Sequence, residues 1–73
     1  MNCEINITSK EQVERISRLA SREPYDVYLS TDTVSLDARS LVGLFSLVGK
    51  HARVVAGDRV DPRAFSRLVD KMK

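Results

Sequence analysis

The chain has 73 residues, of which 42% are hydrophobic and 30% charged, and its formal net charge is +2. That length holds one small domain and excludes a second, and this apolar content excludes a chain left disordered for want of a core. One cysteine and one histidine exclude an internal disulfide, a multi-cysteine zinc site and a histidine-rich metal site, while so small a positive surplus does not imply nucleic acid.

Cys3, Ile5 and Ile7 alternate with Glu4 and Asn6, which predicts a half-buried strand over 3–7. Thr8 with Glu11, and Ser9 with Gln12, each match the spacing at which a hydroxyl residue caps a helix three positions on. Val13, Ile16, Leu19 and Ala20 follow at steps of three and four, so an amphipathic helix is expected over 10–22. Pro24 ends it, because the residue before a proline is driven out of the helical region.

Tyr25, Val27 and Leu29 alternate with Asp26, Tyr28 and Ser30, giving a second strand over 25–30. Thr31-Asp32 is the expected turn, and Val34 and Leu36 form a short third strand in a hairpin. Leu41, Val42, Leu44, Phe45, Leu47 and Val48 predict a second helix with Ser40 as N-cap and Gly49 as stop. A cap of that kind would lose about 1 kcal/mol on Ser→Ala.

Ala52 to Ala56, with Val54 and Val55, reads as a fourth strand closed by Gly57-Asp58. Asp61-Pro62 opens the last helix, an N-cap aspartate followed by proline at the first helical position. Ala64, Phe65, Leu68, Val69 and Met72 are its core positions. The order βαββαβα predicts a two-layer α+β domain, a single unit over 1–73. Its four-stranded, mainly antiparallel sheet has three helices on one face, with Tyr28, Thr33 and Ser35 on the open one.

The opening residues lack the basic and apolar regions of a signal peptide. No apolar run approaches the roughly 20 residues needed to cross a bilayer. With an unpaired cysteine, a cytoplasmic protein without membrane partners is the expectation. No metal, cofactor or enzymatic activity is expected, because no constellation of catalytic side chains is visible.

The element order, together with Ser35-Leu36-Asp37-Ala38-Arg39-Ser40-Leu41-Val42-Gly43-Leu44-Phe45-Ser46-Leu47, resembles the HPr family of the bacterial sugar phosphotransferase system. In that family the segment reads as a strand end, then Asn/Ser-Ala-Lys-Ser, then an apolar helix. The likeness runs back through the hairpin to Asp26 and resumes from about Arg59 to Met72, about two-thirds of the chain. It implies an open-faced HPr-like sandwich.

The family's phosphocarrier motif, Gly-Leu-His-x-Arg-Pro-Ala, belongs between the first strand and first helix. Here that junction reads Ile7-Thr8-Ser9-Lys10-Glu11-Gln12-Val13, with no histidine and no Arg-Pro. Histidine phosphotransfer is therefore not expected there, since neither Thr nor Ser matches the basicity of an imidazole. His51, the sole histidine, reads as a solvated turn residue away from that junction.

The resemblance implies three further roles. Ser40 matches a serine that in much of the family is modified by an ATP-dependent kinase, and a phosphate there would meet Arg39. Arg39, Leu41, Val42 and Phe45 fall where the family docks its partners, whereas Leu44, Leu47 and Val48 face the core. The expected function is thus a regulatory or interaction domain of the phosphotransferase type. Its partners would be phosphotransferase-system enzymes, a serine kinase or a transcriptional regulator. Two alternatives stand beside it: a phosphocarrier working through an unusual residue, and a small ligand- or nucleic-acid-binding module. Arg15, Arg18 and Arg22 line one helix stripe, but Glu11 and Glu14 stand four residues before Arg15 and Arg18 and are expected to neutralise them. Arg63 and Arg67, with Asp70 nearby, read the same way.

Overall fold

The computed structural model describes residues 1–73 and contains seven elements in the expected order. They are β1 (Asn2–Asn6), α1 (Lys10–Ser21), β2 (Val27–Ser30), β3 (Ser35–Asp37), α2 (Leu41–Phe45), β4 (His51–Ala56) and α3 (Pro62–Met72). The strands form one sheet in the order β1-β4-β2-β3, antiparallel throughout. The last strand in sequence therefore lies between the first two, and the fold closes only when β4 inserts.

Alternation decides which face is covered. Ile5 of β1, Val27 and Leu29 of β2, and Ala52, Val54 and Ala56 of β4 are buried beneath the helices. They meet Val13, Ile16 and Ala20 of α1, Leu44 of α2, and Phe65, Leu68, Val69 and Met72 of α3 in one core. The opposite face is wet: Glu4, Arg53, Ser30 and Ser35 line up across all four strands. Tyr28 and Ser35 are exposed there as expected, while Thr33 belongs to the turn.

The α1 start uses one of the two capping boxes. Ser9 accepts from the Gln12 N–H at 3.2 Å, whereas the Thr8 hydroxyl turns to the Gln12 side chain at 3.0 Å. At the other helix start, Asp61 accepts from the Arg63 N–H at 3.1 Å with Pro62 behind it.

β1, α1 and β4 shift by one residue at one or both ends from the sequence reading, and three boundaries differ for identifiable reasons. β2 starts at Val27 rather than Tyr25, because α1 runs on into turns in which Arg22 and Glu23 bond the carbonyls of Leu19 and Ala20. The hairpin turn is longer than Thr31-Asp32. Thr31 donates its N–H to the Val34 carbonyl at 2.8 Å, so Val34 stays exposed in the loop and β3 begins at Ser35. α2 is only five residues long. Beyond Phe45 the chain tightens into i→i+3 bonds from Ser46, Leu47 and Val48 to Gly43, Leu44 and Phe45, and the Ser46 hydroxyl takes the Gly43 carbonyl at 2.6 Å.

Gly49 ends this segment at φ +88°, where a side chain would be strained. That turn lets the Gly49 N–H reach the Ile7 carbonyl at 2.7 Å, while Ile7 N–H bonds the Lys50 carbonyl at 2.9 Å. The end of β1 and the start of β4 are thereby stitched together.

Candidate functional site: an apolar docking face

α2 divides its apolar residues between two environments. Leu44 and Leu47 are buried and Val48 is half-buried, while Leu41 and Phe45 are each 37% exposed and Val42 is 84% exposed. Leu41, Val42 and Phe45 form an apolar surface beside the groove between α1 and α2. That groove, of about 470 Å³, is lined by Glu14, Ser17, Arg18, Ser21, Arg22 and Leu41.

The segment entering α2 is pinned from several sides. Ala38 N–H bonds the Val27 carbonyl at 2.9 Å, Ser40 N–H bonds the Asp37 carbonyl at 2.9 Å, and the Ser17 hydroxyl of α1 donates to the Arg39 carbonyl at 3.1 Å. Arg39 itself points back at the sheet. Its guanidinium grips Asp37 through Nε at 3.1 Å and Nη2 at 2.9 Å, and reaches Asp26 at 3.2 Å. These hydrogen bonds hold the Asp37 carboxyl below its ordinary range, with the Arg39 backbone N–H adding to the effect, and raise Arg39 in return. Arg39 thus ties the segment that enters α2 to Asp37 of β3 and to Asp26 ahead of β2.

Ser40 occupies the N-cap position, but its hydroxyl makes no cap hydrogen bond. The expected capping hydrogen bond is absent. Ser40 is exposed.

A curated search and a scan of family models return no match for this chain. Solved structures do match. HPr-C-His from Thermoanaerobacter tengcongensis is 21% identical with a TM-score of 0.76 over 99% of this chain and 90% of its own. A phosphocarrier protein HPr from Bacillus anthracis str. Ames is 16% identical with a TM-score of 0.74 over 100% of this chain and 96% of its own.

The chain has the HPr fold.

Within this HPr fold, the segment joining β1 to α1 contributes no histidine of its own, and a buried amide packs against it. Gln12, 4% exposed, accepts from the Thr8 N–H at 2.8 Å and hydroxyl at 3.0 Å, and donates to the carbonyls of Asn6 at 2.8 Å and Met72 at 3.1 Å. The sequence marked Gln12 as a cap partner but not as a core residue, since nothing in one chain's pattern shows that α3 ends above it.

His51 is not a free turn residue. It opens β4 opposite Asn6, with Nδ1 2.6 Å from Asn6 Oδ1 and Nε2 2.9 Å from Glu4 Oε2. The hydrogen bond from His51, reinforced by its charge, lowers the Glu4 carboxyl. The ring remains exposed, in a recess shared with Asn6, Thr8, Gly49 and Lys50. Sheet pairing therefore carries this histidine to the β1–α1 junction. The sequence pattern puts His51 in a turn away from that junction, because a contact across 45 positions leaves no local signal.

The arginine stripe also behaves differently. No ion pair joins Glu11 to Arg15 or Glu14 to Arg18. Arg15 instead caps the end of α3, donating to the carbonyls of Lys71 at 3.0 Å, Met72 at 3.4 Å and Lys73 at 2.9 Å. Arg18 and Arg22 are left at the edge of the α1–α2 groove. Asp70 pairs with Lys73 at 3.7 Å rather than with Arg67. No helix is long and apolar enough to cross a membrane.

Proposed function

We propose that this chain is a protein-interaction domain of sugar phosphotransferase control, docking a partner through α2, and that it works without a phosphocarrier histidine between β1 and α1. The observation that carries this reading is the apolar surface of Leu41, Val42 and Phe45. A side chain as exposed as Val42, beside two more apolar ones, is a surface awaiting cover rather than a core that failed to close. It lies on a fold whose solved examples include a phosphocarrier protein HPr. Arg18 and Arg22 at the groove edge suit a partner with acidic residues around an apolar centre.

Ser40 is the regulatory switch in this reading. Its hydroxyl is exposed and free of a cap bond, so a kinase would take it without first breaking a helix start. Phosphate there adds nearly two negative charges next to Leu41. Arg39, the expected partner of that phosphate, already bonds Asp37 and Asp26, so in this reading the new charge at the docking face is only partly offset and repels an acidic partner.

The test is an NMR titration of isotope-labelled protein with the first enzyme of the phosphotransferase system and, separately, with a serine kinase of that system plus ATP. Docking predicts perturbed signals from 39–48, lost with Val42→Glu. Phosphate uptake by the wild type but not by Ser40→Ala supports the switch. Unperturbed signals with both proteins refute the reading.

One observation favours a second reading, a phosphocarrier using His51. Glu4 fixes the Nε2 side of the ring, as a carboxylate orients a nucleophilic imidazole. If Asn6 swings away and Nδ1 releases to solvent the proton it shares with Asn6 Oδ1, the Nδ1 lone pair can attack phosphorus while the donor's bond to phosphorus breaks. Acid-labile label from phosphoenolpyruvate and the system's first enzyme, abolished by His51→Ala, would select this reading over the first.

A further inference from the structure

The ion pairs are distributed unevenly over the molecule. On the sheet side Arg39, His51 and Arg53 each meet a carboxylate. On α3, Arg63, Arg67 and Lys71 are exposed and have no carboxylate within ion-pair distance. These three stand at steps of four residues, one helical face, over about 12 Å at 1.5 Å per residue. Arg59, in the turn ahead of the helix, is also exposed and unpaired. The nearby acids are engaged elsewhere: Asp61, the N-cap, accepts from the Arg63 N–H, and Asp70, which shares the face of Arg63 and Arg67, meets Lys73. The opposite face of α3, with Phe65, Leu68, Val69 and Met72, is buried in the core, so the row is held on a rigid support.

We propose that this outer face of α3 is a second interaction surface, independent of α2, which binds the phosphate backbone of a nucleic-acid duplex without reading its sequence. The chemistry of the face selects this partner. It presents no large exposed apolar side chain, so it lacks the centre that a protein partner would bury and the anchor that a bilayer surface would require. Arginine forks match phosphate oxygens, and Ser66 between them supplies a hydroxyl of the kind that bonds phosphate. No aromatic ring stands on the face, which removes the stacking used on single strands. The net charge of +2 conceals this surface because it averages paired cations with unpaired ones.

The test follows the affinity for a random-sequence DNA duplex across a salt series. Three to four phosphate contacts predict a log–log slope of about −3, a loss of roughly 60-fold between about 50 and 200 mM salt. Arg63→Ala with Arg67→Ala should flatten the slope by about 2 units, Arg63→Lys with Arg67→Lys should keep it, and Arg18→Ala with Arg22→Ala should leave it unchanged. Absence of binding at low salt overturns the proposal, as does an equal loss from the α1 pair. So does tighter, Arg63- and Arg67-dependent binding to vesicles containing phosphatidylserine than to DNA. Circular dichroism of each variant confirms that the exposed substitutions leave the fold intact.

Discussion

The side-chain amide of Gln12 donates to the backbone carbonyl of Met72 at 3.1 Å, tying the first turn of α1 to the last turn of α3 across 60 positions of sequence. Its orientation is fixed by the Thr8 N–H, which can only donate and therefore faces Oε1 at 2.8 Å. The second Nε2 hydrogen goes to Asn6 at 2.8 Å, so strand, junction and two helix ends meet at one residue. Arg15 extends the same clamp over the carbonyls of Lys71 and Lys73.

Replacing Gln12 by leucine keeps the volume but leaves the Thr8 N–H and the Asn6 and Met72 carbonyls without these partners. A buried polar group deprived of its partner costs about 1–3 kcal/mol. Denaturant unfolding of Gln12→Leu should show a loss in that range, and an unchanged midpoint would mean that water replaces every bond.

The two serine N-caps are expected to respond differently. Ser9 caps α1 through a hydrogen bond of 3.2 Å to Gln12 N–H, so Ser9→Ala should cost about 1 kcal/mol. Ser40 makes no such bond, and Ser40→Ala should change stability by less than about 0.5 kcal/mol. Paired thermal melts distinguish the two, and equal losses would contradict the geometry at Ser40. The same result makes Ser40→Ala a clean reagent for phosphorylation assays.

What could be read from the sequence follows the range of each signal. Periodicity of two and of 3.6 acts within one element, which is why Ile5, Val13 and Leu68 read as core positions from the sequence alone. The split of α2 into buried Leu44 and Leu47 against exposed Leu41, Val42 and Phe45 was likewise legible. Gln12 over Met72, Arg15 on the end of α3, and His51 beside Glu4 are tertiary contacts over 47 to 60 residues. No local pattern encodes them. The strand order β1-β4-β2-β3 is what brings His51 to Asn6. The short α2 escaped for another reason: its apolar spacing continues to Val48, but the Ser46 hydroxyl captures the Gly43 carbonyl and the helix tightens instead of extending.

Acid should weaken the fold through two carboxylates. Glu4 is lowered from its ordinary 4.5 by His51, and Asp37 from 3.8 by Arg39. A depressed carboxyl binds its proton less readily when folded than when unfolded. Its contribution is therefore complete above the unfolded-state value and disappears as pH falls through the lower folded one. The denaturation midpoint of the wild type should fall as pH drops below about 4.5, and the decline should be shallower in Asp37→Asn and Glu4→Gln. Both pairs are exposed, so added salt should blunt the effect. An acid limb unchanged in both variants would assign it to other carboxylates.

α2 offers the sharpest separation of folding from docking, because neighbouring residues on one turn do different work. Leu44 is fully buried, and Leu44→Ala should destabilise the domain by about 2–5 kcal/mol through lost burial and the cavity left behind. Val42 is 84% exposed, so Val42→Glu should leave the unfolding midpoint within about 0.5 kcal/mol of wild type. If the apolar face docks a partner with acidic residues at its rim, the same substitution should weaken binding at least tenfold, through a lost contact and a like charge at the interface. Phe45→Ala should fall between the two, losing binding and some stability, since Phe45 is 37% exposed. Calorimetric titration of these three variants, beside their unfolding curves, reads both quantities. A Val42→Glu protein that folds and binds like wild type would remove α2 as the docking surface, whatever the effect of Leu44→Ala.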